Sequence, residues 1–179
     1  MNFYWIQTVT CLSIDPAASR LATGARDDFI KLWDFNGMHK EMKPFKAFEP
    51  YQGNPIRDVN FSNYGDRILV ATTSSQAKLF DRDGKQIEEF VKGDSYIRDL
   101  RNTKGHVSAL TSAKWHPLDR SLFITSSLDS TIRIWDVNNK KSQKSVIVVK
   151  SHMAVNRTTV TATNYSLDGK MIAGGILYL

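Results

Sequence analysis

One pattern of short segments recurs four times along the 179 residues of this chain. Each copy has an apolar segment, a turn and a second apolar segment, and the first three copies continue through small residues to a third apolar segment. Repetition at a period of about 50 residues is typical of architectures whose single unit cannot bury its own apolar face, so that neighbouring units must stack. The copies span residues 9–34, 56–81, 106–136 and 159–179.

The spacing of apolar and aromatic residues gives the register of the copies. The segments 30–33 and 132–135 alternate apolar with cationic side chains, which is the period-2 pattern of a half-buried strand. No segment keeps the period of an amphipathic helix, so we expect an all-β fold with little helix. The first strand of each copy is predicted to end at Ile14, Phe61, Trp115 and Tyr165, and the closing aromatic residues are Trp33, Phe80 and Trp135.

Two of the copies close on a Trp-Asp pair, Trp33-Asp34 and Trp135-Asp136, and Gly105-His106 stands before the first strand of the third copy. In the third copy Asp129 lies between Gly105-His106 and Trp135-Asp136. This combination resembles a WD40 repeat, whose fold is a propeller of four-stranded blades. The resemblance implies a single incomplete WD40 propeller domain over residues 1–179, with about three and a half four-stranded blades and no closed ring.

Six further segments are not positions common to all WD40 repeats: residues 74–78, 81–84, 93–97, 102–106, 115–117 and 143–146. They resemble one family within that superfamily, the WD repeat-containing protein 70 or gastrulation-defective family. The resemblance implies a location in the nucleus and partners that are proteins of a nuclear complex. It also implies links to pre-mRNA processing, to ubiquitin-ligase assemblies and to the DNA-damage response.

The two ends of the chain depart from that family. Residues 1–7 do not resemble its lead-in to a blade, and the fourth copy reaches Leu179 before its closing aromatic residue. We therefore expect a fragment, a truncated isoform or a mispredicted product, and a non-functional truncated product is one alternative. In an incomplete propeller, the sheets at the two open ends would expose apolar area. Burial of such area normally stabilises a fold by about 25 cal/mol per Å². A multimer or a poorly soluble chain is predicted.

In the third copy the WD40 resemblance implies a structural network of buried hydrogen bonds. Its members would be His106, Asp129, Trp135 and a strand hydroxyl, either Thr125 or Ser127. Serine, histidine and aspartate also form catalytic triads, which would make the chain a hydrolase. Triads are recognised by geometry and an oxyanion hole, however, and the sequence has no G-x-S-x-G elbow. We therefore expect no enzyme.

The other copies lack parts of this network. The first copy keeps Asp27 and Trp33 without a Gly-His pair, and the second has Ser74 and Phe80 in the matching positions. Only the third blade is predicted to hold the whole network, and we expect it to be the most rigid. The four histidines are scattered and phosphate-binding loops are missing, so no cofactor, metal or small-molecule substrate is expected.

The connections between copies are basic. Residues 36–51 interleave lysines with Phe45 and Phe48, which either plug blade edges or dock a partner. The cluster in residues 138–150 is either a solvated loop or a weak nucleic-acid contact through phosphates. That cluster consists of Lys140, Lys141 and Lys144, and the candidates for one partner-binding face are Arg26, Asp28, Arg98, Asp99, Lys104 and Lys114.

The composition restricts the class of protein. A net charge of +6 favours acidic partners, nucleic acid included. The single cysteine excludes an internal disulfide, and the sequence shows no signal peptide and no membrane span, which indicates an intracellular chain without a membrane partner. The leading hypothesis is a non-enzymatic scaffold that mediates protein–protein interactions in the nucleus. The alternative from another class is an RNA-binding module that uses the basic loops.

Overall fold

Three four-stranded antiparallel sheets and one two-stranded hairpin make up the computed structural model, which describes residues 8–37, 43–150 and 158–178. The described residues contain no helix. The first sheet contains β1 (Val9–Ile14), β2 (Arg20–Ala25), β3 (Ile30–Asp34) and β4 (Lys46–Phe48); the second contains β5 (Ile56–Phe61), β6 (Arg67–Thr72), β7 (Lys78–Asp81) and β8 (Gln86–Glu89). The third contains β9 (Leu110–Trp115), β10 (Leu122–Ser127), β11 (Thr131–Asp136) and β12 (Ser145–Val148), and the hairpin contains β13 (Thr158–Tyr165) and β14 (Ile172–Tyr178).

The register predicted from the sequence agrees with these strands. The closing aromatic residue of each sheet pairs with the second strand, as in the pairs Leu21–Trp33, Ile68–Phe80 and Phe123–Trp135. The prediction of an all-β, unclosed set of four-stranded blades is confirmed. The first strand of each unit ends at the predicted residue, namely Ile14, Phe61, Trp115 and Tyr165.

The first strand of each unit is the innermost one. β1 contacts β5, β5 contacts β9, and β9 contacts β13, so these four strands lie side by side. β4, β8 and β12 form the outer edges of the three sheets. The first sheet and the hairpin therefore lie at the two ends of a row of units.

The apolar core lies between consecutive units. One cluster joins the first and second sheets, with Ile30 and Leu32 packed against Val59 and Phe61. A second cluster joins the second and third sheets, and a third joins the third sheet to the hairpin through Val160. Each unit is therefore stabilised by the apolar area that it buries on its neighbours.

The outer strands come from segments that the sequence analysis treated as connections. Phe48 in β4 packs against Phe80 of the next sheet, with ring centroids 4.8 Å apart. Phe45 stays 47% exposed beneath the Arg20 guanidinium. Of the two phenylalanines, therefore, only Phe48 plugs a blade edge.

A β-bulge occurs at the same position of the first strand in all four units. The bulged residues are Thr10, Arg57, Thr111 and Thr161. Thr10 Oγ1 donates a hydrogen bond to the Ile56 carbonyl of the next sheet at 2.7 Å, and Thr111 Oγ1 donates to the Val160 carbonyl at 2.7 Å. The bulge therefore turns a hydroxyl toward the neighbouring unit at two of the three junctions.

The junction between the second and third sheets differs because Arg57 occupies the bulge. Here Asp58 accepts hydrogen bonds from Ser112 Oγ at 2.9 Å and from the Ala113 N–H at 3.1 Å. Lys114 completes the junction with an ion pair of 3.1 Å to the same carboxylate. At this junction the Asp58 carboxylate therefore forms the hydrogen bonds to the neighbouring unit, as a threonine hydroxyl does at the other two junctions.

Candidate functional site

The third sheet contains a buried chain of hydrogen bonds. His106 Nδ1 lies 3.0 Å from Asp129 Oδ2, and His106 Nε2 lies 2.7 Å from Thr125 Oγ1. Trp135 Nε1 donates to the same Thr125 hydroxyl at 2.7 Å, and Thr131 Oγ1 donates to Asp129 at 2.6 Å. The strands β10 and β11 therefore hold the hydroxyls and the indole, while the loop before β9 delivers the histidine.

These contacts fix the direction of each proton. The Trp135 N–H donates to Thr125, whose own hydroxyl donates to His106 Nε2, and this leaves Nδ1–H to donate to Asp129. Burial lowers the pKa of His106 more than the facing carboxylate raises it, so the ring is neutral at neutral pH. A neutral ring is the form that lets all of these groups be satisfied together.

The carboxylate is held in its charged form. Burial raises the pKa of Asp129, but hydrogen bonds from His106, Thr131 and the Val107 N–H outweigh that effect and lower it to about 2. Asp129 also accepts a hydrogen bond from the Thr131 N–H at 3.0 Å. The carboxylate is therefore used to order the turn before β11 and the residue that follows His106.

Of the two hydroxyls proposed from the sequence, Thr125 joins the chain and Ser127 does not. Ser127 Oγ donates to the Ser108 carbonyl at 3.1 Å and accepts the Asp129 N–H at 3.2 Å. No described serine lies within hydrogen-bond distance of the His106 ring. The arrangement therefore lacks the nucleophile–base contact that a serine triad needs.

The first sheet has a shorter version of the network. Trp33 Nε1 donates to Thr23 Oγ1 at 3.0 Å, which matches the Trp135–Thr125 bond. Asp27 pairs with Lys31 at 3.3 Å. Asp27 and Trp33 are thus not joined by a histidine within the described residues.

A buried arginine fastens the loop that leads into the third sheet. Arg133 is fully buried, and its Nη1 donates to the Thr103 carbonyl at 2.9 Å. Its Nη2 donates to the Leu100 carbonyl at 2.8 Å and to Thr103 Oγ1 at 2.6 Å. Gln143 Nε2 adds a hydrogen bond of 2.7 Å to the same Thr103 carbonyl. The loop of residues 93–105 is therefore anchored to β11 and to the approach to β12.

The sequence analysis missed this role, although its signal is visible in each of the first three copies. A cation stands two residues before each closing aromatic: Lys31, Lys78 and Arg133. Lys78 lies 3.7 Å from the Tyr51 ring centroid and donates to the Pro50 carbonyl at 3.0 Å, which fastens the loop into β5 in the same way. The cations therefore hold lead-in loops in the second and third sheets.

The anchored loop of residues 93–105 presents an aromatic side chain to solvent. Tyr96 is 93% exposed, and the neighbouring Arg98 is also exposed. The Asp94 carboxylate accepts the Tyr96 N–H at 2.9 Å, and the Asp99 carboxylate accepts the Arg101 N–H at 3.0 Å. Both carboxylates therefore order the loop backbone, which presents the Tyr96 ring to solvent beside Arg98.

Comparison with known proteins gives two matches that agree with this geometry. The model of the family described as "WD domain, G-beta repeat" matches residues 6–34 and 97–136. The chain carries WD40 repeats. WD40 repeats generally mediate protein–protein interactions and are typically non-enzymatic scaffolds.

Whole-chain similarity points to one group of WD40 proteins. WD repeat-containing protein 70 of Rattus norvegicus and of Homo sapiens are each 44% identical over 93% of this chain and 25% of their own length. The gastrulation defective protein 1 homolog of Drosophila melanogaster is 41% identical over 94% of this chain and 26% of its own length. The predicted partial match to that family is confirmed, and the chain spans about a quarter of the length of the curated relatives it matches.

The WD40 sheets place the predicted partner-binding residues at different ends. We call the end at which β1, β5 and β9 begin the upper end, and the opposite end the lower end. Successive strands of each sheet are antiparallel. The upper end therefore holds the connection that precedes the first strand of each sheet and the turn between its second and third strands. The residues at the upper end are Arg26, Asp28, Arg98, Asp99 and Lys104.

The remaining candidates do not join that face. Lys114 lies on the inner strand β9 and pairs with Asp58, so it belongs to a junction between WD40 sheets. The β11–β12 connection at the lower end holds Lys140, Lys141 and Lys144. Lys140 contributes an ion pair to Glu88 of the second sheet, and Lys141 and Lys144 are exposed.

The described WD40 residues bear on three other kinds of chemistry. They contain no group of three or more His, Cys, Asp or Glu side chains arranged to hold a metal ion. They also contain no helix of the length and apolarity that a membrane crossing requires. Burial raises the pKa of the Cys11 thiol to about 11, so that thiol stays protonated and unreactive at neutral pH.

Proposed function

We propose that the chain is a non-enzymatic scaffold that binds proteins of a nuclear complex through its upper end. The observation that carries the proposal is the anchored loop of residues 93–105, which holds Tyr96 in solvent. A loop held by buried hydrogen bonds loses little conformational entropy when a partner binds. Loops on a rigid sheet scaffold are common places for binding residues.

The side chains of this loop suit a protein partner with acidic groups. Tyrosine and arginine are enriched where protein interfaces concentrate their binding energy. Arg98 and Arg101 lie on either side of Asp99, whose carboxylate already accepts a backbone N–H. Residues 93–105 carry three cations and two carboxylates, a net charge of +1, which favours acidic segments.

The nuclear setting rests on family resemblance. The chain is 44% identical to the rat and human WD repeat-containing protein 70. Resemblance to that family implies a location in the nucleus and a place in pre-mRNA processing or in DNA-damage and ubiquitin-ligase pathways. The named relatives are about four times longer than this chain. Microscopy of the tagged chain tests the location directly, and exclusion from the nucleus would contradict it.

Affinity capture from nuclear extract tests the binding face. Tyr96→Ser should lose at least about tenfold of the captured protein, since interface aromatic residues often carry that much of the binding energy. The matched control is Leu167→Ser, which removes an apolar side chain that is 95% exposed at the lower end. Equal capture by the two variants contradicts the upper-end face, and no capture by the unmodified chain favours a non-functional truncated product.

RNA binding through the lower-end lysines is the alternative. Lys140 is engaged with Glu88, which leaves Lys141 and Lys144 as the exposed cations of this cluster. Two phosphate contacts give only a shallow dependence of affinity on salt. Filter binding with single-stranded RNA over a salt titration tests this alternative. A steep fall of affinity with salt concentration that Lys141→Ala makes shallower would favour the RNA-binding hypothesis.

A further inference from the structure

The junction between the first and second sheets holds a polar cavity at its upper end. The cavity has a volume of about 200 Å³, and of the six residues that line it two are arginines and none is acidic. The lining residues are Thr10, Arg26, Pro55, Ile56, Arg57 and Thr73. The lining therefore has a formal charge of +2, which favours an anion.

The two arginines are specific to this junction. Arg26 and Thr73 hold equivalent positions, since each follows the second strand of its sheet and donates its backbone N–H to the residue just before the first strand. Arg57 is the bulge residue of β5, and Thr111 is the bulge residue of β9. The junction between the second and third sheets therefore has two threonines where this junction has two arginines.

Both guanidinium groups are available to a ligand. Within the part of the chain that the structure describes, the side chains of Arg26 and Arg57 form no hydrogen bond and no ion pair. The carboxylates that directly follow them, Asp27 and Asp58, are paired with lysines. Because Asp58 forms the junction with the third sheet, Arg57 is not required for it.

The hydrogen-bond donors of the cavity fit a phosphate group. The Thr10 hydroxyl already donates to the Ile56 carbonyl at 2.7 Å, and the Thr73 hydroxyl donates to Asn54 Oδ1 at 3.2 Å. The free donors are therefore guanidinium N–H groups, which bind phosphate oxygens in pairs. A phosphorylated side chain carries a charge of about −1.5 to −2 at pH 7, which two arginines balance, whereas a carboxylate carries a charge of −1.

The size and lining of the cavity indicate a protein as the source of that phosphate. Sites for whole small molecules have volumes of about 300–1,000 Å³, so this cavity takes one group of a larger partner. Single-stranded RNA is bound by aromatic side chains on which its bases stack. The lining of this cavity contains no aromatic residue, which favours a phosphorylated protein segment over RNA.

We propose that this cavity binds a phosphoserine or phosphothreonine side chain of a protein partner between Arg26 and Arg57. This assignment deepens the proposed function, on which it rests for a protein partner at the upper end, and it uses residues other than Tyr96. Phosphorylation of the partner then controls its binding, because it supplies the charge that the two arginines lack.

Retention of the purified 179-residue chain on immobilised peptide libraries tests the proposal. One library has phosphoserine at a fixed position among degenerate positions, and the other has serine there. Arg26→Thr and Arg57→Thr install the residue type that the next junction has at Thr73 and Thr111, so both variants should keep their melting temperature. The matched control is Arg82→Thr, which removes the same charge from an exposed side chain in the β7–β8 turn at the lower end.

The unmodified chain and Arg82→Thr should be retained at least about tenfold more on the phosphoserine library than on the serine library, since each charge-assisted hydrogen bond contributes about that factor. Arg26→Thr and Arg57→Thr should each lose most of that preference. Equal retention on the two libraries overturns the proposal. An equal loss in Arg82→Thr also overturns it, because the effect would then be one of general charge.

Two further probes distinguish other sources of phosphate. Retention on immobilised single-stranded RNA that Arg26→Thr and Arg57→Thr reduce by the same factor would assign the cavity to nucleic acid and overturn the proposal. Inorganic phosphate should release the chain less effectively than an equal concentration of the soluble phosphoserine library. Equal release by the two would assign the cavity to free phosphate and overturn the proposal as well.

Tyr96→Ser separates this proposal from the upper-end loop on which the proposed function depends. The variant should keep its preference for phosphoserine while it loses captured nuclear protein. Phosphoserine preference together with nuclear capture that Tyr96→Ser leaves intact would support the cavity and contradict the loop. Loss of nuclear capture in Tyr96→Ser without any phosphoserine preference in the unmodified chain would overturn the cavity alone.

Discussion

The third and first sheets contain the same tryptophan–threonine hydrogen bond, but only the third extends it to a histidine and a carboxylate. Trp135 is fully buried in the cluster between the second and third sheets, whereas Trp33 lies half-buried on the open face of the first sheet. Water can therefore accept a hydrogen bond from the Trp33 indole N–H, whereas it cannot reach the indole N–H of Trp135. Burial of Trp135 against the second sheet therefore makes the complete network necessary in the third sheet.

The second sheet shows a different solution under the same burial. Val70 and Phe80 stand where the third sheet has Thr125 and Trp135, and both are buried in the apolar cluster with the first sheet. Removing both partners of a hydrogen bond leaves no group unsatisfied. A buried sheet of this fold can therefore be stabilised by apolar packing or by a fully satisfied network, but a partial network is destabilising.

The largest expected effect compares the two aspartates at matching positions. Asp129→Ala should destabilise the fold by about 1–3 kcal/mol, because it leaves the His106 ring and the Val107 and Thr131 N–H groups without their acceptor. Asp27→Ala should cost less than about 1 kcal/mol, since its ion pair with Lys31 is partly exposed to solvent. Urea unfolding of both variants measures the difference. An equal loss of unfolding free energy for the two would show that the network does not stabilise the third sheet more than the ion pair stabilises the first.

Much of this architecture follows from the sequence because strand ends and closing aromatic residues repeat at nearly constant spacing. Ile14 and Trp135 could be placed in register for that reason, and so could His106 and Asp129. The sequence left Thr125 and Ser127 as alternatives and did not indicate Thr131. The bulges could not, since Thr10 and Arg57 share neither size nor charge and are linked only by position in the ladder.

The fastening role of Arg133 depends on where a distant loop folds back. Its partners Leu100 and Thr103 lie about 30 residues earlier in the chain, at a distance that no short-range pattern specifies. Lys140 and Arg98 lie in different connections, the first after β11 and the second before β9, and the contact of these connections through Gln143 and Thr103 could not be read from charge clustering along the sequence.

The second largest expected effect is a loss of folding stability at low pH, caused by His106 and Asp129. The pKa of buried His106 is lowered from its ordinary value of 6.5, so below that pH the unfolded chain binds a proton that the folded chain does not. Asp129, with a pKa lowered from 3.8 to about 2, adds stability that is present above pH 3.8 and lost as the pH falls toward 2. Stability should therefore fall with decreasing pH in both windows.

A single histidine contributes at most about 1.4 kcal/mol for each pH unit below its ordinary pKa. Urea midpoints of the unmodified chain and of His106→Gln between pH 7.5 and pH 5.5 isolate that contribution. The variant starts from a lower stability, but its midpoint should change less with pH. Parallel slopes for the two proteins would contradict a neutral, buried His106.

The smallest expected effect is at the threonine of the first sheet. Thr23→Val gives that sheet the residue type that the second sheet has at Val70, and the Trp33 N–H can then bind water because Trp33 is half-buried. We expect a change within about 0.5 kcal/mol, which is typical of a group that solvent can satisfy. Thr125→Val removes the partner of both His106 and Trp135 in a site without solvent, so it should cost several times more. Thermal melts of the two variants measure this ratio; a ratio near one would mean that exposure of the first-sheet face does not decide which hydrogen bonds the fold needs.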